Sequence, residues 1–264
     1  MSLDLTILGA SPAAQNPGGA CSSYLIRGPS TAVVLDCGSG SFSNLQRHIA
    51  PEAVAAVIVS HLHADHILDL IPYRYYLSFT ALAVGPGAVL QRPLLLLPPD
   101  GLAQLLALVH HQEPSPSFFH DVFEVVEYDP GQPLTVGELT VSFYPTRHIR
   151  HTYGIRITTT SSTEGPIFAY SADSGPTPAL LDIARGVDLF LCEASLPEGS
   201  DADLHLTASQ AGAYAHDAGA ARLVLTHRWH RLGLDTATRI AGRVFDGPVS
   251  MAREGDSYAV GAAN

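Results

Sequence analysis

His61, His63, Asp65 and His66 fall within six residues of one another, in the run VIVSHLHADHILDLI. Imidazole nitrogens and carboxylate oxygens at that density form a donor set for zinc, manganese or iron. A tight turn lets such side chains converge on two neighbouring ions. A cluster of solvated surface histidines is the bland alternative. Ordinary packing gives no reason to place three His and one Asp directly after an apolar run, so the metal reading prevails. Ala55 to Val59, just upstream, is apolar and β-branched and predicts a strand that ends at the cluster.

Other metal-capable residues follow later apolar runs. His148 comes after Leu139 to Tyr144, Asp173 after Ile167 to Tyr170 (in YSADSG), and His227 after Leu223 to Leu225 (in LVLTH). Strand-to-loop junctions are where sites are usually placed on layered α/β architectures. Taken singly, Asp173 also reads as a turn or capping residue and His227 as a buried, hydrogen-bonded histidine. Together with the first cluster they make five His and two Asp, enough for two metal ions.

The elements that must position these residues read as short strands at Asp4–Leu8, Ser23–Arg27 and Ala32–Asp36, with turns at Asn16–Gly19 and Gly28–Pro29. A helix follows over Ser41–Ile49, and helical spacing over Ile67–Leu77 is interrupted early by Pro72. After a strand at Leu94–Leu97, Asp100 caps a helix through Val109. Strands follow near Val122–Val126, Leu139–Tyr144, Tyr153–Thr158 and Ile167–Tyr170, the last two joined by a turn over Thr160–Gly165. A helix over Thr177–Arg185 leads to the strand Leu189–Cys192, and a helix over Thr207–Gly219 to the strand Leu223–Leu225. The order predicts an α/β protein with two mixed sheets sandwiched between helices, in one domain spanning residues 1–264. No internal repeat or low-complexity tract is visible.

Of the 264 residues, 46% are hydrophobic and 15% charged, which supports a large core and argues against disorder. No apolar run reaches the ~20 residues of a spanning helix, and the N-terminus lacks a secretory pattern. Cys21, Cys37 and Cys192 are scattered and odd in number, which suits reduced thiols in a cytoplasmic protein. All fourteen basic residues are Arg, and the net charge is −11. An acidic chain is a poor non-specific ligand for a polyphosphate backbone, so extended nucleic acid is disfavoured as a partner.

The HLHADH run, followed in order by His148, Asp173 and His227, resembles the metallo-β-lactamase superfamily of hydrolases over nearly the whole chain. LDCGSG, with Asp36, is similar to the family's earlier aspartate motif, which supports the metal loop. The resemblance implies a four-layer αββα sandwich of two mixed sheets. It also implies two divalent ions, zinc first with manganese or iron as alternatives. His61, His63 and His148 would hold one ion; Asp65, His66 and His227 would hold the other, with Asp173 bridging. Within the superfamily the chain resembles the ribonuclease Z-like phosphodiesterases: Tyr153–Gly154–Ile155 follows His148, LFLCEAS ends in Glu193–Ala194, and His205–Leu206–Thr207 precedes an Ala-rich helix. That likeness puts His205 in the place of the branch's catalytic histidine, with Glu193 its partner; His205 would then protonate the departing alkoxide, and Asp65, a metal ligand, would also orient or deprotonate the nucleophile. The residues themselves equally allow His205 as a helix-start residue and Glu193 as a salt-bridge partner. The branch commonly forms homodimers, so a second copy is one partner to test.

Only Ile149 to Ala172 separates His148 from Asp173. The long arm with which tRNA-processing members grip tRNA has no room there. The expected substrate is therefore a small phosphodiester, such as a cyclic nucleotide or short oligonucleotide, hydrolysed by hydroxide generated between two ions ~3.5–4 Å apart. A tRNA 3′-processing endoribonuclease is the alternative, with hydrolysis of a lactone, thioester or sulfate ester behind it. Arg147, Arg150, Arg228 and Arg231 lie beside ligand positions and fit a phosphate substrate; they fit solvated rim charges equally well. Tyr73, Arg74, Tyr75 and Tyr76 could wall the pocket, and His151 and His230 could support ligands.

Overall fold

The chain spends its first half on one sheet and its second half on another. The computed structural model describes residues 2–85, 91–111, 113–149, 151–160 and 165–261. The first half contains β1 (Leu3–Gly9), β2 (Ser23–Arg27), β3 (Ala32–Leu35), β4 (Ala56–Ile58), β5 (Leu94–Leu97) and β6 (Glu124–Glu127). Helices α1 (Ser41–Leu45), α2 (Ala64–Ile67), α3 (Leu70–Val84) and α4 (Gly101–Val109) are interspersed. The second half contains β7 (Leu134–Val136), β8 (Leu139–Pro145), β9 (Tyr153–Thr159), β10 (Ile167–Tyr170), β11 (Leu189–Glu193), β12 (Leu223–Thr226) and β13 (Val249–Met251). Its helices are α5 (Ala179–Ala184), α6 (Ala208–Asp217) and α7 (Leu234–Ala241); β14 (Ser257–Val260) returns to the first sheet beside β1.

The two sheets run β14-β1-β2-β3-β4-β5-β6 and β7-β8-β9-β10-β11-β12-β13. In each, the first four strands pair antiparallel and the last three continue in parallel from the fourth. The architecture is thus the same strand plan used twice. Period-2 alternation explains the layering. Val33, Leu35, Ala56 and Ile58 face the core between the sheets, where they meet Val141, Phe143, Ile155 and Leu191. Their neighbours Val34, Val57 and Val59 face outward under α3 and α4, and Phe190, Cys192 and Leu225 do the same under α5, α6 and α7. Strands covered on both faces need continuous apolar runs, and β3, β4 and β11 are buried throughout. The result is the expected αββα sandwich, two mixed sheets with helices on their outer faces. Fully burying each such aliphatic or aromatic side chain contributes about 1.5–3 kcal/mol.

Several local expectations change. The helix from Ser41 stops at Leu45 rather than Ile49. The helical pattern after the histidines splits into α2 and α3, and α3 runs on to Val84. Pro72 does not interrupt α3, because it lies in the first turn, where its missing N–H has no intrahelical partner to lose. Asp100 precedes α4 but makes no side-chain cap; its backbone is left-handed, with φ 63°. Thr207 does open α6 with a reciprocal capping box to Gln210. Strands β7, β13 and β14 and helix α7 were not anticipated. Of the turn expected at Thr160–Gly165, residues 161–164 lie outside the described residues.

Three departures from ordinary backbone mark where the sheets meet. Asp36, Ala172 and His227 have φ of 56°, 52° and 55°, just beyond the C-terminal ends of β3, β10 and β12. Left-handed conformation costs a non-Gly residue about 1–2 kcal/mol, and such strain clusters at functional sites. Gly38 shows how closely the parts approach: a Cβ there would lie 2.1 Å from the Asp65 carbonyl oxygen. Only glycine lets the LDCGSG loop press against the histidine loop.

Candidate metal centre

The histidine loop leaves β4 and is pinned at both ends by one carboxylate. Asp36, fully buried, accepts from the Ser60 N–H (2.7 Å) and Ser60 hydroxyl (2.8 Å) at the start of the loop. It also accepts from His66 Nδ1 (2.8 Å) at the end, and from the Tyr170 hydroxyl (3.0 Å) across the core. The Cys37 N–H binds the His66 carbonyl at 2.7 Å. Asp69, one turn further on, accepts from the Phe42 N–H at 2.8 Å and so holds the start of α1 against this loop.

Within that frame the seven predicted positions converge into two sets of four atoms. In the first, His63 Nδ1 lies 3.1 Å from both His61 Nε2 and His148 Nε2, and Asp173 Oδ2 lies 3.8 Å from each of those Nε2 atoms. In the second, Asp65 Oδ2 lies 3.5 Å from His66 Nε2 and 3.0 Å from His227 Nε2. Asp173 Oδ1 lies 3.4 and 3.6 Å from the same two nitrogens. Asp173 thus gives one oxygen to each set. Metal–nitrogen bonds of 2.0–2.1 Å in a tetrahedron set ligand atoms about 3.3 Å apart, which is the spacing seen.

The outer nitrogens of the rings explain why the inner ones are free. The Ser60 hydroxyl has its proton on Asp36, so it accepts from His61 Nδ1 (3.0 Å). His66 Nδ1 donates to Asp36, and His148 Nδ1 to the Leu204 carbonyl (3.0 Å). His227 Nδ1 donates to the Ser195 hydroxyl (2.8 Å). Each such bond fixes the tautomer that leaves Nε2 unprotonated and aimed inward, the usual support for a metal-binding histidine.

Two buried atoms test the fit directly: His66 Nε2 and Asp173 Oδ1 have no hydrogen-bond partner. Buried polar atoms without partners cost about 1–3 kcal/mol each, and a shared cation satisfies both. Electrostatics agrees. Burial opposes ionisation of Asp65, but the hydrogen bond from His227 and the charge of the neighbouring His66 and His227 rings override it and hold the carboxyl below its ordinary range. Asp173 is held down in the same sense, against its burial, by His227 and His66. Burial pushes His61 and His63 toward the neutral form. Burial alone would also neutralise His66 and His227; the carboxylates, Asp173 foremost, instead draw positive charge to them. Protons or a divalent cation can supply that charge, and the donor set fits the cation.

His205 and Glu193 stand beside these sets. Glu193 is fully buried at the end of β11 and accepts from His205 Nδ1 at 2.9 Å. Burial works against a charge on His205, but the bond to Glu193 and its charge overcome it and raise the imidazole to about 9. His205, Asp65, His148 and His227 line one cleft of about 350 Å³.

The arginines fare differently. Arg228 is buried, and its Nη atoms are spent on the carbonyls of Ala194 (2.7 Å), Leu196 (3.2 Å) and Leu232 (2.8 Å). It is part of the frame and not a substrate contact. Arg231 lies over the Trp229 ring at 5.2 Å. Arg147 is exposed and paired with Asp203, and Arg150 lies outside the described residues. Tyr73, Tyr75 and Tyr76 pack in the layer outside the first sheet, with hydroxyls on Pro51, Glu113 and Glu52; they do not wall the cleft. Arg74 bonds the Phe118 carbonyl and Asp121. His151 is exposed, and His230 bonds Asn16 (3.0 Å). Ser60, Ser195 and Tyr170 were not singled out from sequence, since lone Ser and Tyr residues at strand ends carry no spacing signal.

A model described as "Beta-lactamase superfamily domain" matches residues 31–228. The chain is 36% identical over 256 residues to the Uncharacterized protein Rv1339 of Mycobacterium tuberculosis, covering 94% of this chain and 89% of that protein. It is 31% identical to the Probable metallo-hydrolase YhfI of Bacillus subtilis, covering 94% of each. The crystal structure of YhfI superposes with a TM-score of 0.86 at 26% identity, over 98% of this chain and all of that one. That of the human short-form tRNase Z superposes at 0.74 and 18% identity, over 98% of this chain and all of that one, a likeness of fold. The chain therefore belongs to the β-lactamase superfamily, and within it to the metallo-hydrolases.

Proposed function

We propose that the chain is a phosphodiesterase for small phosphodiesters, such as cyclic nucleotides or short oligonucleotides, working with two divalent ions, zinc first. His61, His63 and His148 would hold one ion, Asp65, His66 and His227 the other, and Asp173 both. Such a pair, when bound, lowers the pKa of a water and polarises a phosphoryl oxygen. The observation that carries the reading is the His205–Glu193 pair beside the two ligand sets. An alkoxide leaves a phosphodiester with difficulty unless it is protonated. His205, kept charged by Glu193 at neutral pH and lining the same cleft, is placed to donate that proton. Glu193 then stabilises the charge before transfer and fixes the ring. Asp65, which lines the same cleft, is placed to orient the attacking water.

The connection between β9 and β10, residues 160–166, leaves no room for an arm, which supports a small substrate over tRNA. No helix among the described residues is long and apolar enough to cross a membrane. The test is hydrolysis of bis(p-nitrophenyl) phosphate by zinc- and manganese-loaded protein, with Asp65→Ala alongside. Turnover that falls at least about 10³-fold in the variant is expected, since removing a ligand disables the site as a unit. A metal-loaded protein that is inert on this ester but cleaves lactones, thioesters or sulfate esters would overturn the reading.

A further inference from the structure

Glu193 has two oxygens, and they serve two different histidines. Oε1 accepts from His205 Nδ1 (2.9 Å) and the Ser174 N–H (2.7 Å). Oε2 accepts from the Ser195 hydroxyl at 2.6 Å, and the same hydroxyl oxygen lies 2.8 Å from His227 Nδ1 and 2.9 Å from the His227 carbonyl. Serine has a single hydroxyl proton. The shortest contact and the charge both assign that proton to Glu193, so Ser195 Oγ is left to accept from His227 Nδ1. Glu193, His205 and His227 also satisfy the spacing of a third metal-capable group. With Ser195 Oγ bonded to both Glu193 and His227, that group is a hydrogen-bond relay.

The surrounding backbone is built to hold this contact. His227 adopts φ 55°, which brings its carbonyl and ring together against Ser195. Arg228, the next residue, grips the carbonyls of Ala194 and Leu196 on either side of Ser195. The loop after β11 and the loop after β12 are thereby stapled to each other at one serine.

We propose that Ser195 is a positioning residue that fixes the tautomer and orientation of His227 from Glu193. The same carboxylate that holds His205 then also sets the ligand strength of the Asp65–His66–Asp173–His227 set. This rests on the reading of that set as a metal site. Hydrogen-bond partners of a ligand imidazole's outer nitrogen contribute about 10–100-fold to metal affinity, and the Ser195 hydroxyl, held by Glu193, occupies that place on His227. His61 and His148 do not depend on Ser195, so the first set is spared.

The test is calorimetric titration of zinc into metal-free wild type, Ser195→Ala and Ser195→Thr, with far-UV circular dichroism to verify folding. The expected result is two ions in wild type, an about 10–100-fold weaker affinity for one of them in Ser195→Ala, and recovery in Ser195→Thr, which keeps the hydroxyl. Proton NMR of the metal-loaded proteins gives a second readout: the His227 Nδ1 proton should be exchange-protected in wild type and Ser195→Thr and exposed in Ser195→Ala. Two ions bound equally tightly by folded Ser195→Ala would overturn the role of Ser195 alone. A wild type that binds no divalent ion would overturn the metal reading and this inference with it. A Ser195→Ala chain that fails to fold while Ser195→Thr folds without the protected proton would also sink it.

Discussion

Replacing Asp36 by Asn should separate what the frame does for folding from what it does for the site. Asparagine tolerates the φ of 56° at this position, so little backbone strain is added. The carboxylate accepts four hydrogen bonds: two from Ser60, one from His66 Nδ1 and one from Tyr170. An amide offers one oxygen and one NH₂. With its oxygen kept on the Ser60 N–H, the NH₂ faces Ser60 Oγ, Tyr170 and His66. Both hydroxyls can turn to accept, but His66 can accept only by moving its proton from Nδ1 to Nε2, the inward-facing atom. Hydrogen bonds to charged groups contribute about 1.5–3 kcal/mol each. Losing that charge, with two hydroxyls and an imidazole left to reorient around the amide, should lower metal-free stability by about 2–4 kcal/mol. Protonation of Nε2 should weaken zinc binding at the His66 set about 10–100-fold, or about 1.4–2.7 kcal/mol. Urea unfolding in EDTA measures the first effect and calorimetric zinc titration the second. Wild-type values for both in Asp36→Asn would refute the argument that this carboxylate sets the tautomer.

Two further outcomes follow from the same geometry. The His205 imidazole, raised to about 9, is charged below that pH. Turnover should therefore fall as pH rises toward 9, with the midpoint drawn lower by nearby cations, and His205→Ala should lose about 10²–10⁴-fold in rate and the basic limb with it; a limb that persists in the variant would assign it elsewhere. On the opposite side of the sandwich, Glu138 in the β7–β8 turn accepts from the N–H and hydroxyl of Ser30 and of Thr31 in the β2–β3 turn. Burial opposes its ionisation, but these bonds lower it from 4.5 to about 2. A depressed carboxyl contributes stability above its unfolded value, so this contribution should be complete above pH 4.5 and vanish as pH falls through about 2. Glu138→Ala should cost about 1–2 kcal/mol in urea unfolding at pH 7 and leave turnover unchanged; an undiminished midpoint would show the clamp to be idle.

The places where sequence and structure part company share a physical cause. Every strand predicted before Leu225 is present within a few residues, because burial on one or both faces forces a period-2 or continuous apolar pattern. The strands that were missed, β7, β13 and β14, are three or four residues long and take their places from neighbours already laid down. The duplicated strand plan left no repeat in the sequence, since burial pattern constrains hydrophobicity and not residue identity. Arg228 is adjacent to His227 in sequence, yet it points into three carbonyls because the backbone reverses at the left-handed His227.

The sequence by itself determined the chemistry of the metal-capable donors and their order along the chain. The HLHADH run is local, so its spacing is readable without a fold, and later His and Asp residues after apolar runs complete the donor count. Only the tertiary structure decided how those donors divide into two sets sharing Asp173, which nitrogen of each imidazole faces inward, and that Asp36, Ser60, Ser195 and Glu193 set those choices. Such contacts join residues as many as 162 positions apart, as Asp65 and His227 are. No spacing rule connects them until the two sheets close on each other.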